Sequence, residues 1–118
     1  MSERSFFTLD ESGAYIPTRY ARSAWSETMV NGPAVVVASA RALESEHGAE
    51  GFQPARLTVD LFAPVRTEPL VAVTEEVRAG SRIRVADVRM LQDGKLVARG
   101  TLLQLRRGEQ PPGNVWRS

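Results

Sequence analysis

Asn31-Gly32-Pro33-Ala34-Val35-Val36-Val37-Ala38-Ser39-Ala40-Arg41-Ala42-Leu43-Glu44-Ser45-Glu46-His47-Gly48 must be either strand or helix, and the rest of the chain follows from the answer. Three consecutive valines favour a strand by propensity. The other signals favour a helix. Asn31 is a good N-cap, Pro33 sits in the first turn where its missing N–H costs nothing, and Gly48 supplies a stop. Ala34, Ala38, Ala40 and Ala42 are strong helix formers. Val36, Ala40 and Leu43 form one apolar face at helical spacing, widened by Val35 and Ser39. The small side chains allow a sheet to come close, so this is a helix to be wrapped.

Working outward, Phe6 to Leu9 followed by Asp10-Glu11-Ser12-Gly13 predicts an opening strand and a turn. Ala14 to Met29 shows no clean period and is read as an irregular lead-in with a short helical turn. After a loop over His47 to Pro54, Leu57, Val59, Leu61, Ala63 and Val65 alternate while Thr58, Asp60 and Phe62 face the other way. Val71, Val73 and Val77 alternate again before an Ala79-Gly80-Ser81 turn. The next strand begins in one phase (Ile83, Val85) and ends in the other (Ala86, Val88, Met90), which predicts a bulge or a strong bend. Asp93-Gly94 marks a two-residue hairpin. Leu96 to Leu105 completes the set, with Gly100 where something comes close. A buried helix followed by long antiparallel strands is an α+β layout. The expected division is one domain over residues 1–107 and a tail or linker over 108–118, marked by Pro111-Pro112-Gly113. Trp116 in that tail is expected to dock, either on a partner or back on its own domain.

The 118 residues, 42% apolar and 25% charged, suit one globular domain. A formal charge of +1 gives no electrostatic reason to expect nucleic acid or an anionic membrane. With no cysteine, disulfides and thiolate chemistry are excluded. No apolar run approaches the roughly 18 residues that span a bilayer, and Met1-Ser2-Glu3-Arg4-Ser5 lacks a secretory pattern. The expectation is a cytoplasmic protein.

Ala24-Trp25-Ser26, Asn31-Gly32-Pro33 opening the helix, and Leu57-Thr58-Val59-Asp60-Leu61-Phe62-Ala63-Pro64-Val65 resemble the N-terminal hotdog repeat of the acyl-CoA thioesterase II-like family. Val77-Arg78-Ala79-Gly80-Ser81-Arg82 and Leu91-Gln92-Asp93-Gly94-Lys95-Leu96-Val97-Ala98 are similar too, so the resemblance runs over about residues 6 to 107. It implies a hotdog fold, a long central helix wrapped by a curved antiparallel sheet, that handles acyl thioesters without metal or cofactor. Family members often carry His and two glycines at the helix start, where this chain has Asn31-Gly32-Pro33. They usually hold two repeats, the catalytic carboxylate in the second, and this chain stops at what resembles the inter-repeat linker.

The chemistry needs a donor for the thioester carbonyl, a group to position water, and an apolar channel. A helix N-terminus supplies the first, which points to Asn31, Gly32 and Ala34, with an ordinary helix cap as the alternative. Asp60 is the candidate general base, or else a solvent-facing or salt-bridged strand residue. Trp25 closes the pocket mouth or packs in the core. His47, the one histidine, is explained by its place at the helix end. Arg78, Arg82, Arg84, Arg106 and Arg107 bind coenzyme A phosphates or only solvate strand faces. The expected partner is an acyl-CoA or related thioester, and a homodimer or second repeat is expected to complete the groove. The competing readings are a non-catalytic acyl-binding or pairing module and a hotdog dehydratase, which would want a histidine–carboxylate pair.

Overall fold

The computed structural model describes residues 5–23 and 26–108, with only the backbone described at Ser26 and Glu27. Trp25, the tail from residue 109 and Trp116 lie outside the described residues. A short hairpin comes first, β1 (Phe7–Leu9) with β2 (Tyr15–Pro17). The lead-in is more regular than its sequence implies: a 3-10 turn at Arg19–Ala21, then β3 (Arg22–Ser23) paired with β4 (Ser26–Val30). Helix α1 runs Gly32–His47. Four long strands follow: β5 (Phe52–Leu61), β6 (Val71–Ala79), β7 (Ile83–Gln92) and β8 (Lys95–Arg106). They form one antiparallel sheet in the order β5-β8-β7-β6.

The caps of α1 follow the sequence. The Asn31 side chain accepts the Ala34 N–H at 2.7 Å, and its amide donates to the carbonyls of Tyr20 and Arg22. One residue therefore starts the helix and ties it to the lead-in. At the other end a Cβ on Gly48 would stand 2.5 Å from the Glu44 carbonyl oxygen, so only glycine lets the chain turn away here. We expect Asn31→Ala to destabilise the fold by about 1–2 kcal/mol, the upper part of the range for N-caps, because the two carbonyls lose their donor as well. Urea denaturation measures this; an unchanged midpoint would deny the anchoring role.

The face of α1 that meets the sheet is Ala34, Val35, Ala38, Ser39, Ala42 and Leu43, all buried. Val36 is 38% exposed and Ala40 half-buried, so the buried stripe is rotated by about one residue from the Val36/Ala40/Leu43 face. Alanines count as weak apolar signals beside valine, and the choice between stripes falls to the sheet. Ser39 is tolerated inside because its hydroxyl donates to the Val35 carbonyl at 2.9 Å.

The inner, helix-facing side of the sheet is built from Ala86, Val88, Met90, Ala98 and Leu102, with Leu57, Val59 and Leu61 continuing it along β5. Gly100 lies in its middle, where a Cβ would come 3.2 Å from a Val88 methyl and 3.3 Å from the Thr58 carbonyl. Two strand readings need correction. Val71, Val73 and Val77 are all exposed, and Ala72 and Thr74 turn inward instead. The phase change at Val85/Ala86 is no break in β7, which keeps its register with β8 there; the irregularity lies in β6, between Glu76 and Arg78 opposite those residues. β5 also begins earlier than expected, at Phe52, and ends at Leu61; Val65 is buried in the connection, where its carbonyl accepts the Val30 N–H. The turn Asp93-Gly94 has positive φ at both residues (50° and 72°), as a two-residue hairpin requires.

Candidate functional site at the start of the helix

Four orphan N–H groups open any helix, and here most are accounted for. Pro33 has none, Ala34 gives its N–H to the Asn31 side chain, and Val35 gives its N–H to the Asn31 carbonyl at 3.4 Å. Gly32 keeps the one N–H of the first turn without a partner among the described residues. Of the three residues expected at this site, Asn31 and Ala34 are thus occupied with each other. Gly32 is left as the donor, at the positive end of a 16-residue helix.

The surroundings of Gly32 are apolar. A Cβ there would lie 3.7 Å from Leu61, the last residue of β5. One turn further along the same helix flank comes Val36, and β5 offers half-buried Leu57 and Val59 below it. Leu61 is 51% exposed, so this seam between helix and strand is open on one side. Beyond it, flanked by Met29 before the cap and Ala63 after β5, opens a cleft of about 810 Å³. Its other walls include Arg66, Glu68, Gln92, Asp93 and Lys95, two cations and two carboxylates among polar groups. Gln92 is fixed: it accepts the Arg66 N–H and donates to the Arg66 and Glu68 carbonyls.

Asp60 is not brought to this point. Strand alternation turns it to the outer face of the sheet, where it pairs with Arg99 at 3.5 Å with 60% of its side chain exposed. Leu61 takes the inward position beside Gly32. Arg99 also lies over the ring of Phe62 at 5.9 Å. His47 is at the opposite end of α1, about 22 Å away at ~1.5 Å rise per residue. Its carbonyl accepts from Gln104, and its Nε2 is buried without a partner among the described residues. The acids of α1 itself, Glu44 and Glu46, are in its last turn. The described residues therefore put a donor and an apolar seam at the start of α1, with neither Asp60 nor His47 beside them, while Glu68 and Asp93 line the adjoining cleft.

Arginines gather at the far end. Arg84 and Arg106 stack their guanidinium groups on the Phe52 ring at 5.4 and 5.5 Å. Arg84 also pairs with Glu76 at 3.3 Å, and Arg106 donates to the Ser81 carbonyl. Sequence alone missed Phe52, whose place in a presumed loop hid its role as their platform.

Comparisons fit this architecture. Solved structures with the same fold include a Bacillus halodurans protein crystallised with CoA, at 17% identity and TM-score 0.67 over 91% of this chain and 76% of that one. The Escherichia coli PaaI protein of the phenylacetic acid degradation operon matches at 18% and 0.70, over 80% and 70%. The TT0310 protein of Thermus thermophilus matches at 19% and 0.70, over 80% of each chain. These likenesses show the hotdog fold alone. No helix is long and apolar enough to cross a membrane among the described residues. Among curated proteins no match is found. Residues 21–105 match the family model of the acyl-CoA thioesterase N-terminal domain, and the chain belongs to that family.

Proposed function

We propose that this chain binds acyl thioesters at the start of α1, as one half of a site completed by a second hotdog unit. The Gly32 N–H, without a partner among the described residues and beside the Leu61 seam, is the observation that carries the reading. In it the thioester carbonyl accepts from Gly32, where the helix dipole favours negative charge on the oxygen. The acyl chain lies along Val36, Leu57, Val59 and Leu61, and the polar arm of an acyl-CoA enters the cleft beside Met29 and Ala63. The resemblance to the N-terminal repeat of acyl-CoA thioesterase II-like proteins supports the same assignment, because that repeat is the one without the catalytic carboxylate.

The position of Asp60 on the outer face favours binding over hydrolysis by this chain alone. A general base must come within hydrogen-bond reach of the water it activates, and the sheet separates Asp60 from Gly32. Hydrolysis then draws its base from the second unit. Calorimetric titration with non-hydrolysable thioether analogues of short and medium acyl-CoAs tests this, run beside a free-thiol release assay. Saturable binding with slow or no thiol release is the expected result. Absence of binding to every analogue rejects the site, and rapid release by the isolated chain rejects the division of labour.

A further inference from the structure

A second cavity, of about 180 Å³, lies where the β1–β2 hairpin meets the last turns of α1 and the inward residues of β6. It is at the far end of α1 from Gly32 and shares no residue with the cleft beside Met29 and Ala63. Tyr15 of β2 forms one wall and is only 6% exposed. Its ring packs edge-on against Phe7 with centroids 5.9 Å apart, and its backbone pairs with Leu70 just before β6. The ring is thus held in place, yet its hydroxyl makes no hydrogen bond among the described residues. A buried phenol in that state costs free energy that a ligand acceptor would recover. Burial also holds its pKa above the ordinary tyrosine range, so at neutral pH it is a donor.

The facing flank of α1 supplies Ala42 and, one turn on, Ser45 and Glu46. Glu46 is the one charged side chain in the lining, and it stands in the last turn, where the helix dipole is negative. Both favour a cation there. Arg41 lies one turn before Ser45 on the same flank, and its charge acts on the phenol with the opposite sign to that of Glu46 and more strongly. The cavity therefore has an anionic side and a donor side. Between them Ala42 and Ala72 offer only methyl groups, Leu9 adds an apolar rim, and the Ser45 and Thr74 hydroxyls accept or donate as needed. We infer that this cavity binds a free aliphatic α-amino acid, its carboxylate accepting from the Tyr15 hydroxyl beside Arg41 and its ammonium donating to Glu46. A simple anion would meet Glu46 and a simple cation would meet Arg41, whereas a zwitterion uses both charges. The apolar side chain then lies over the alanine methyls. This site is independent of the thioester reading at Gly32.

Titration of the isotope-labelled whole chain with L-valine, followed by NMR, tests the site. Saturable shifts of the Ala42, Ser45 and Thr74 amides are expected in the millimolar range, as suits so small a ligand. Two analogues keep the valine skeleton and one charge each: isovalerate lacks the ammonium, and isobutylamine lacks the carboxylate. Each should bind at least about threefold more weakly, the scale of one exposed ion pair. Tyr15→Phe keeps the ring and its contact with Phe7 and removes only the donor. Its affinity for valine should fall about tenfold, as for loss of a charge-assisted hydrogen bond, while isobutylamine binds as it does to wild type. Glu46→Gln should weaken valine about threefold and should not weaken isovalerate. Glu46 is on the exposed side of α1, so this variant decides the matter even if Tyr15→Phe fails to fold. No saturable shift with valine, a single-charge analogue that binds as well as valine, or wild-type affinity in either folded variant overturns the inference.

Discussion

Gly32→Val is expected to lower affinity for acyl-CoA analogues by about two orders of magnitude, the low end of what loss of one oxyanion donor costs in rate. Valine keeps the N–H but places two methyl groups between it and the Leu61 seam. A single Cβ there would meet Leu61 at 3.7 Å, an ordinary contact. Gly32→Ala should accordingly retain most binding, and Gly32→Val should lose it to the methyl groups beyond. Neither change opens a cavity or removes a cap, so thermal denaturation should move little for both. The critical comparison is binding against melting temperature. Wild-type affinity in Gly32→Val would remove Gly32 from the site, and a collapse in stability would make the binding result uninformative about the amide.

The largest effect on stability is expected from Leu43→Ala, at about 2–5 kcal/mol. Leu43 is fully buried on the third turn of α1 and belongs to the same core cluster as Leu70, Val88 and Met90. Close-packed neighbours relax only partly, so truncation costs both the transfer energy and the cavity. In a domain of this size each kcal/mol moves Tm by about 4–8 °C, which makes a fall of more than about 10 °C the expected reading. Val37→Ala is the matched control. Val37 is 39% exposed, and its truncation should stay within about 0.5 kcal/mol. Comparable losses in the two variants would mean that the helix presents a different stripe to the sheet.

The main helix, its ends, and the antiparallel strands after it are legible along the chain. Those signals are local. An asparagine cap, a proline in the first turn and a glycine at the close act within four residues of the backbone they satisfy, and Asp93-Gly94 fixes its hairpin through two φ angles. Alternation likewise put Leu57, Val59 and Leu61 on one face and Thr58, Asp60 and Phe62 on the other. Which face lies inside is set by how the helix and sheet pack. Val71, Val73 and Val77 are strongly apolar yet exposed, because β6 turns Ala72 and Thr74 toward α1, where small side chains allow the helix to approach. In α1, Val35 and Leu43 are buried and Val36 is not, a choice set by where the sheet curves rather than by hydrophobicity. The candidate site divides the same way. Gly32 was legible from its place at the helix start. That Ala34 is already bound by Asn31, that Asp60 looks away from Gly32, and that Phe52 carries two arginines each depend on contacts between segments distant in the chain, and pattern along a chain does not record them.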